Sequence, residues 1–294
     1  MEGYYMKKTS SALLIISIMF VGLVLGEENI EQTKSKALAG DAKSQFDLGA
    51  CYYAGNGVGK DLVEAVKWFK KSAEQGDARA QFNMGVCYEK GIGVEKNLVE
   101  AINKYRESAK QEYSIAQFRL GVCYGNGIGV EKDFVEAVKW FRKSAEQGNA
   151  DAQFNMGFYY CNGKGIEKNW NEAVKWFRKS ADQGNADAQF NMGFCYYTSN
   201  GIKNDFAEAV KWFRKSAEQG DVRAQFNMGV CYERGEGVAA DNAEAYKWYL
   251  IAAANGAVEA AGRKQIIEKQ LSIAQIETAK QATKNFTAKP TSNQ

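Results

Sequence analysis

Apolar and polar positions alternate along this chain in a pattern that returns every 36 residues, six times over. The string A-x-A-Q-F-N-M-G, with small variations, places Gln45, Gln81, Gln117, Gln153, Gln189 and Gln225 in one frame. Within residues 77–112, Ala80, Met84, Cys87 and Tyr88 recur at helical spacing, which predicts a helix A from Ala78 to about Glu89 with Asp77 as its N-cap. Gly85 stands in the middle of that helix and recurs as Gly49, Gly121, Gly157, Gly193 and Gly229. A mid-helix glycine costs up to ~1 kcal/mol against alanine, a cost that makes sense where a second helix must approach the backbone closely. Gly91 and Gly93 then end helix A and turn the chain.

Helix B opens on a capping box, Asn97 followed three residues later by Glu100. The same pair recurs as Asp61/Glu64, Asp133/Glu136, Asn169/Glu172, Asp205/Glu208 and Asp241/Glu244. In the first repeat Ala65, Trp68, Phe69, Ser72 and Ala73 fall on the buried side of helix B, and Gly76 is its C-cap. Phe82, Tyr88, Trp68 and their repeat equivalents read as core. Each unit is thus a helix–turn–helix that cannot bury its apolar face alone, and stacking makes the core continuous.

The segments AQFRLGVCYGNGIGV and DFVEAVKWFRKSAEQG of the third repeat resemble the SEL-one-like repeat, a relative of the tetratricopeptide repeat, and the likeness extends over about residues 42–257. The resemblance implies an all-α, right-handed α/α superhelix with a concave groove, and an adaptor role in assembling protein complexes. The expected organisation is six repeats, at 42–77, 78–113, 114–149, 150–185, 186–221 and 222–257, between an N-terminal capping helix at 27–41 and C-terminal capping helices at 258–288. Ser272 to Gln275 is the expected start of the last helix, and 289–294 are expected to be disordered. Two places depart from the pattern. The second repeat carries Lys104 where the others have tryptophan and ends Gln111-Glu112-Tyr113, and the fifth loses its first loop glycine to Thr198-Ser199-Asn200. Local distortion is expected at both.

Composition narrows the function. Net charge is +3, with basic and acidic side chains interspersed in every repeat, so the stripe that phosphate binding needs is missing and nucleic acid is disfavoured. Histidine is absent, which removes the commonest general base and metal ligand. Lys7 and Lys8 precede an apolar run from Ala12 to Gly26, which reads as a secretory signal peptide over 1–26, cleaved before Glu27. That run falls short of the ~20 residues needed to span a bilayer. A retained N-terminal anchor is the alternative, and a start at Met6 would give a tighter signal. The expected location is secreted or periplasmic. In a eukaryotic lumen Asn285-Phe286-Thr287 would form a glycosylation sequon.

Five of the six cysteines, Cys51, Cys87, Cys123, Cys195 and Cys231, share one repeat position, and Cys161 lies two residues beyond it. Equivalent positions on neighbouring units should lie ~10 Å apart. A disulfide needs Cα atoms within ~7 Å, so the five are expected as buried thiols and Cys161 as more exposed. Their spacing shows no zinc-ligand pattern.

The sharpest functional candidate is a polar ladder on helix A. Asn83, Asn155, Asn191 and Asn227 occupy one repeat position, completed by Asp47 and Arg119. Lys90, Asn126, Asn162, Thr198 and Arg234 follow seven residues on, near the same face. In related tetratricopeptide grooves inward-facing asparagines clamp a ligand's backbone, and basic residues hold a carboxylate. A solvated polar face is the equal alternative. The glycine-rich loops lack the lysine-serine/threonine end of a phosphate-binding loop and follow helices, so they are turns. The chain has no S-x-x-K, no K-T-G and no histidine for a Ser–His or Cys–His pair. The reading is a non-catalytic exported scaffold for a protein or peptide partner, without cofactor or metal. The alternative is a cell-wall or β-lactam hydrolase, an activity the resemblance brings in through cysteine-rich relatives.

Overall fold

The structure is a computed structural model that describes residues 27–284 and 286. The expected signal peptide, the Met6 start, the sequon at Asn285 and the tail at 289–294 lie outside those residues. Among the described residues there are fifteen α-helices and no strand, divided between two compact units whose boundary along the chain falls between Asn149 and Ala150. The first unit holds α1 (Glu27–Leu38), α2 (Ala42–Ala54), α3 (Leu62–Glu74), α4 (Ala78–Lys90), α5 (Leu98–Lys110), α6 (Ser114–Asn126) and α7 (Phe134–Glu146). The second holds α8 (Ala150–Asn162), α9 (Trp170–Asp182), α10 (Ala186–Thr198), α11 (Phe206–Glu218), α12 (Val222–Arg234), α13 (Asn242–Ala254), α14 (Val258–Glu268) and α15 (Ile273–Lys284). Within each unit a helix A packs on the helix B that follows it, and that helix B packs on the next helix A.

Local chemistry sets the helix ends. Asp77 accepts from the backbone N–H groups of Arg79 and Ala80 at 2.9 and 3.1 Å and starts α4. Gly91 closes α4 at φ +70°, a left-handed position where a side chain would be strained. Asn97 then accepts from Val99 and Glu100 N–H, both at 3.1 Å. The capping boxes are only half formed. The N-cap N–H of Asn97 donates to the Tyr88 carbonyl at 2.9 Å, and that of Asp61 to Tyr52 at 2.9 Å, tying helix B to the end of helix A. The glutamates are thereby released to pair with lysine three residues on, as Glu64 does with Lys67 at 2.7 Å. The complete reciprocal box is at Ser272/Gln275, where Ser272 N–H donates to Gln275 Oε1 at 3.0 Å and Gln275 N–H donates to Ser272 Oγ at 3.3 Å.

The mid-helix glycine is the contact the pattern predicts. A Cβ on Gly85 would stand 2.6 Å from the Tyr105 ring, and one on Gly157 2.6 Å from Phe177. Aromatics of helix B therefore lie directly on the backbone of helix A. The recurrent glutamine joins the stack. Gln81 Nε2 donates to the Ala73 carbonyl of the preceding helix B at 3.4 Å, and Gln81 Oε1 accepts from Gln111 of its own helix B at 2.8 Å. Ser108 Oγ adds a bond to the Ala78 carbonyl at 2.6 Å.

The two irregular repeats keep their frame. Glu112 and Ser199 adopt left-handed φ values of 60° and 61°, taking the backbone shape that glycine has elsewhere. The expected distortion is absorbed as local strain of ~1–2 kcal/mol per residue, because the packed helices on either side are harder to move. Tyr113 replaces the N-cap side chain and turns its ring edge-on to Phe82 at 5.8 Å. At the C-terminal end α14 takes the place of a helix A, but α15 folds back against α13. Gln265 stands on α14 where the repeat has glycine.

Candidate functional site

The ladder positions separate into two environments. In the second unit Asp151, Asn155, Phe158 and Asn162 lie along one face of α8, because residues spaced 4, 7 and 11 apart line one side of a helix. Asp187, Asn191, Phe194 and Thr198 do so on α10, and Arg223, Asn227, Val230 and Arg234 on α12. Adjacent A helices are joined along this face. Asn185 Nδ2 donates to Asp151 Oδ1 at 2.9 Å, Arg223 Nη2 to Asp187 Oδ1 at 2.6 Å, and Arg234 Nη1 to the Tyr197 hydroxyl at 3.3 Å. Tyr197 in turn donates to Glu236 at 2.5 Å.

The three asparagines here are half-buried. Each donates one N–H back to the carbonyl four residues earlier at 2.8 Å, Asn155 to Asp151, Asn191 to Asp187 and Asn227 to Arg223. That bond fixes the rotamer. It leaves each amide a second N–H and an acceptor oxygen. Asn162 repeats the arrangement one layer down, donating to the Phe158 carbonyl at 2.7 Å. Between the two polar rows stand Phe158 and Phe194, the latter 37% exposed and stacked on Phe190 with centroids 6.4 Å apart. The Arg223 guanidinium covers the Phe190 ring at 4.2 Å.

In the first unit the same stripe is closed. Asn83 is 1% exposed and Arg119 7%, so both belong to the interior and neither lines a groove. The expectation that they take part in a solvent-facing ladder is corrected. Arg119 is drawn in by Glu89, its Nε lying 2.9 Å from Oε2 and its Nη2 bonded to Oε1. Tyr105 donates its hydroxyl to the same carboxylate at 2.8 Å. Burial pushes the Glu89 carboxyl up, but the bonds from Arg119 and Tyr105 outweigh it and hold the group below its ordinary value. Arg119 is thereby committed and cannot hold a ligand's carboxylate. Asn83 finds no partner for either amide atom among the described residues. Lys90 is exposed beside Glu89 at 3.4 Å, Asn126 donates to the Val122 carbonyl at 2.9 Å, and burial raises the half-buried Asp47 carboxyl against the pull of Arg79.

Sequence reasoning missed Glu89 and Tyr105. Their signal was a coincidence of three changes, because the same set recurs four repeats later. Tyr249 donates to Glu233 at 2.6 Å and Arg263 Nη1 lies 3.1 Å from it. Phe69, Phe141, Phe177 and Phe213 hold the tyrosine position in the other repeats.

The five in-frame cysteines are buried and Cys161 is partly exposed. Burial pushes the thiols of Cys87 and Cys123 up to about 12 and that of Cys161 to about 11. Among the described residues no group of cysteines and carboxylates is placed to hold a metal ion, and no helix is long and apolar enough to cross a membrane.

Comparison with known proteins adds to this geometry. The Sel1 repeat profile matches residues 42–77, 78–113, 114–149, 150–185, 186–221 and 222–256. The crystal structure of a Sel1 repeat protein from Oxalobacter formigenes is 35% identical and superposes with a TM-score of 0.65 over 72% of this chain and 85% of that one. A protective antigen of uropathogenic Escherichia coli with an SLR fold is 27% identical over 88% of this chain and 79% of its own, with a TM-score of 0.40. Among curated proteins, the secretory immunoglobulin A-binding protein EsiB of Escherichia coli O6:H1 is 42% identical over 69 residues. That stretch is 23% of this chain and 14% of EsiB, so the chain spans about one-seventh of its relative.

Proposed function

Because the chain belongs to the Sel1 repeat family, whose solenoids are scaffolds typical of protein–protein interaction, we propose that it is a non-catalytic exported adaptor that holds a protein or peptide partner on its A-helix face. The observation that carries this reading is the row of Asn155, Asn191 and Asn227, three side-chain amides one repeat apart, in one rotamer and half open to solvent. Amides with spare donors and acceptors bind peptide backbone without demanding a particular side-chain sequence. Asn162 and Arg234 lie at its margins in the same unit, whereas Asp47, Lys90 and Asn126 belong to the first unit.

The export half of the proposal rests on Lys7, Lys8 and the apolar run that follows. A protein ligand is in keeping with EsiB, which is named for binding secretory immunoglobulin A. Catalysis is disfavoured by the absence of histidine and by carboxylates already engaged in caps and ion pairs.

A crosslinking pull-down from an extracytoplasmic extract tests the reading. The chain from Glu27 onward is expected to capture a partner that the Asn155→Ala, Asn191→Ala, Asn227→Ala variant loses while keeping its helicity. Equal capture by the folded variant would overturn the groove. Mass spectrometry of the exported protein is expected to show an N-terminus at Glu27.

A further inference from the structure

We propose that the ligand site lies wholly in the second unit and takes an extended peptide segment in which a cationic side chain stands three residues from a bulky apolar one. This rests on the A-helix reading above and adds the location and the chemistry.

Location follows from the contrast between two copies of one stripe. At the position between the polar rows the first unit has Ala50, Val86 and Val122, exposed 1, 6 and 4%. The second unit has Phe158 and Phe194, the former half-buried and the latter 37% exposed. The Phe194 ring, left that open in a row whose members in the first unit are sealed, is an apolar anchor facing solvent. It is held ready, since Phe190 stacks on it at 26° between planes.

The cation follows from Asp151. Its carboxylate is half-buried at the head of the same stripe, and its hydrogen-bond partner is the neutral amide of Asn185 at 2.9 Å. The equivalent Asp187 is neutralised by Arg223 at 2.6 Å, whereas no cation lies within ion-pair distance of Asp151 among the described residues. Burial raises the Asp151 carboxyl above its ordinary value, with the Asn185 bond opposing. A lysine, arginine or terminal amine of a ligand would relieve that cost.

The spacing follows from helix geometry. Phe158 lies seven residues beyond Asp151, ~10 Å along the axis at ~1.5 Å per residue. A polyproline-II segment rises ~3.1 Å per residue and returns to one face every third residue, so its positions i and i+3 match that span. The motif is basic-x-x-apolar, in either chain direction, with the asparagine rows bonding the backbone between the two anchors.

The test is a phage-displayed random dodecapeptide library panned against the purified protein, followed by fluorescence anisotropy on the enriched peptides. Enrichment of the basic-x-x-aromatic or basic-x-x-leucine pattern is expected. Asp151→Asn, which keeps the Asn185 bond, Phe158→Ser, which removes the ring that sets the spacing, and Phe194→Ser should each weaken binding at least tenfold. Lys90→Ala and Asn126→Ala in the first unit should leave it unchanged. Asp151→Arg should recover binding to a peptide whose basic residue is replaced by glutamate, an outcome that misfolding could not produce. Peptides that depend on the three asparagines but ignore Asp151→Asn and Phe194→Ser would overturn this proposal and leave the groove standing. Peptides sensitive only to Lys90→Ala, or no enrichment at all, would overturn both.

Discussion

The guanidinium of Arg119 on α6 closes on the carboxylate of Glu89 on α4, with Nε 2.9 Å from Oε2 and both side chains below a tenth exposed. The pair crosses from one repeat to the next and is completed by the Tyr105 hydroxyl. Removing one partner of a buried ion pair strands the other, at a cost of ~3–5 kcal/mol. Arg119→Met is therefore expected to lower the urea midpoint sharply. Arg119→Met with Glu89→Leu should recover most of the loss, since an apolar pair of similar volume is often neutral in such a site.

Two carboxylates should tilt the stability profile in opposite senses. Glu89 is more acidic folded than unfolded. Its contribution is complete above the unfolded value of ~4.3 and is lost as pH falls through the lower folded value. Asp151 is less acidic folded than unfolded, so its contribution is present below ~3.9 and is lost as pH rises through the folded value. In urea titrations at pH 3, 5 and 7, Glu89→Gln should lower the midpoint most at pH 7 and by less as the pH falls. Asp151→Asn should raise it at pH 7 and converge with wild type in acid.

The glycine position offers a matched pair. A Cβ at Gly85 or Gly157 meets an aromatic ring at 2.6 Å, whereas one at Gly262, also within a helix, meets nothing within 4 Å. Gly85→Ala and Gly157→Ala are expected to cost ~1–3 kcal/mol by overpacking. Gly262→Ala should instead gain up to ~1 kcal/mol from helix propensity. Thermal melts followed by circular dichroism would show the opposite signs.

Ser199 closes α10 in a left-handed conformation at φ 61° and is exposed. Ser199→Gly is expected to stabilise by ~1 kcal/mol, because it removes a backbone penalty and no buried contact. The same change at Glu112 should act alike. Little or no rise in melting temperature for either would mean that the flanking helices impose no strain there.

Alkylation should separate the thiols. Cys161 is partly exposed while Cys51, Cys87, Cys123, Cys195 and Cys231 are buried. In iodoacetamide the native protein is expected to take one label, at Cys161, slowly at pH 8 and faster as the pH rises towards the raised value of its thiol, with the other five reacting only on unfolding.

Helix ends and core positions are legible in the amino-acid sequence, because their causes are local. Asp77 caps α4 through groups two and three residues away, and Gly91 ends it through its own φ. The aromatic over Gly85 is expected because a period of 36 residues returns the same glycine and the same ring to each other. The half-formed capping boxes are not legible, since the N-cap N–H groups go to Tyr88 and its equivalents on another helix. Nor is the role of Gln81, whose bonds reach Ala73 and Gln111.

The ladder shows the limit most clearly. Asn83 and Asn191 sit in the same local string, Q-F-N-M-G, yet one is sealed in the interior and the other is half open. Within a helix turn the two differ only at Arg79 against Asp187 and at Val86 against Phe194. Those two differences do not by themselves fix the burial of the asparagine; the first unit also carries the Arg119–Glu89–Tyr105 cluster across repeats, which the second unit lacks between Ala150 and Thr198. Periodicity determines the helices and their stacking. Which face stays open depends on long side chains meeting some 30 residues apart, and only the packed structure decides that.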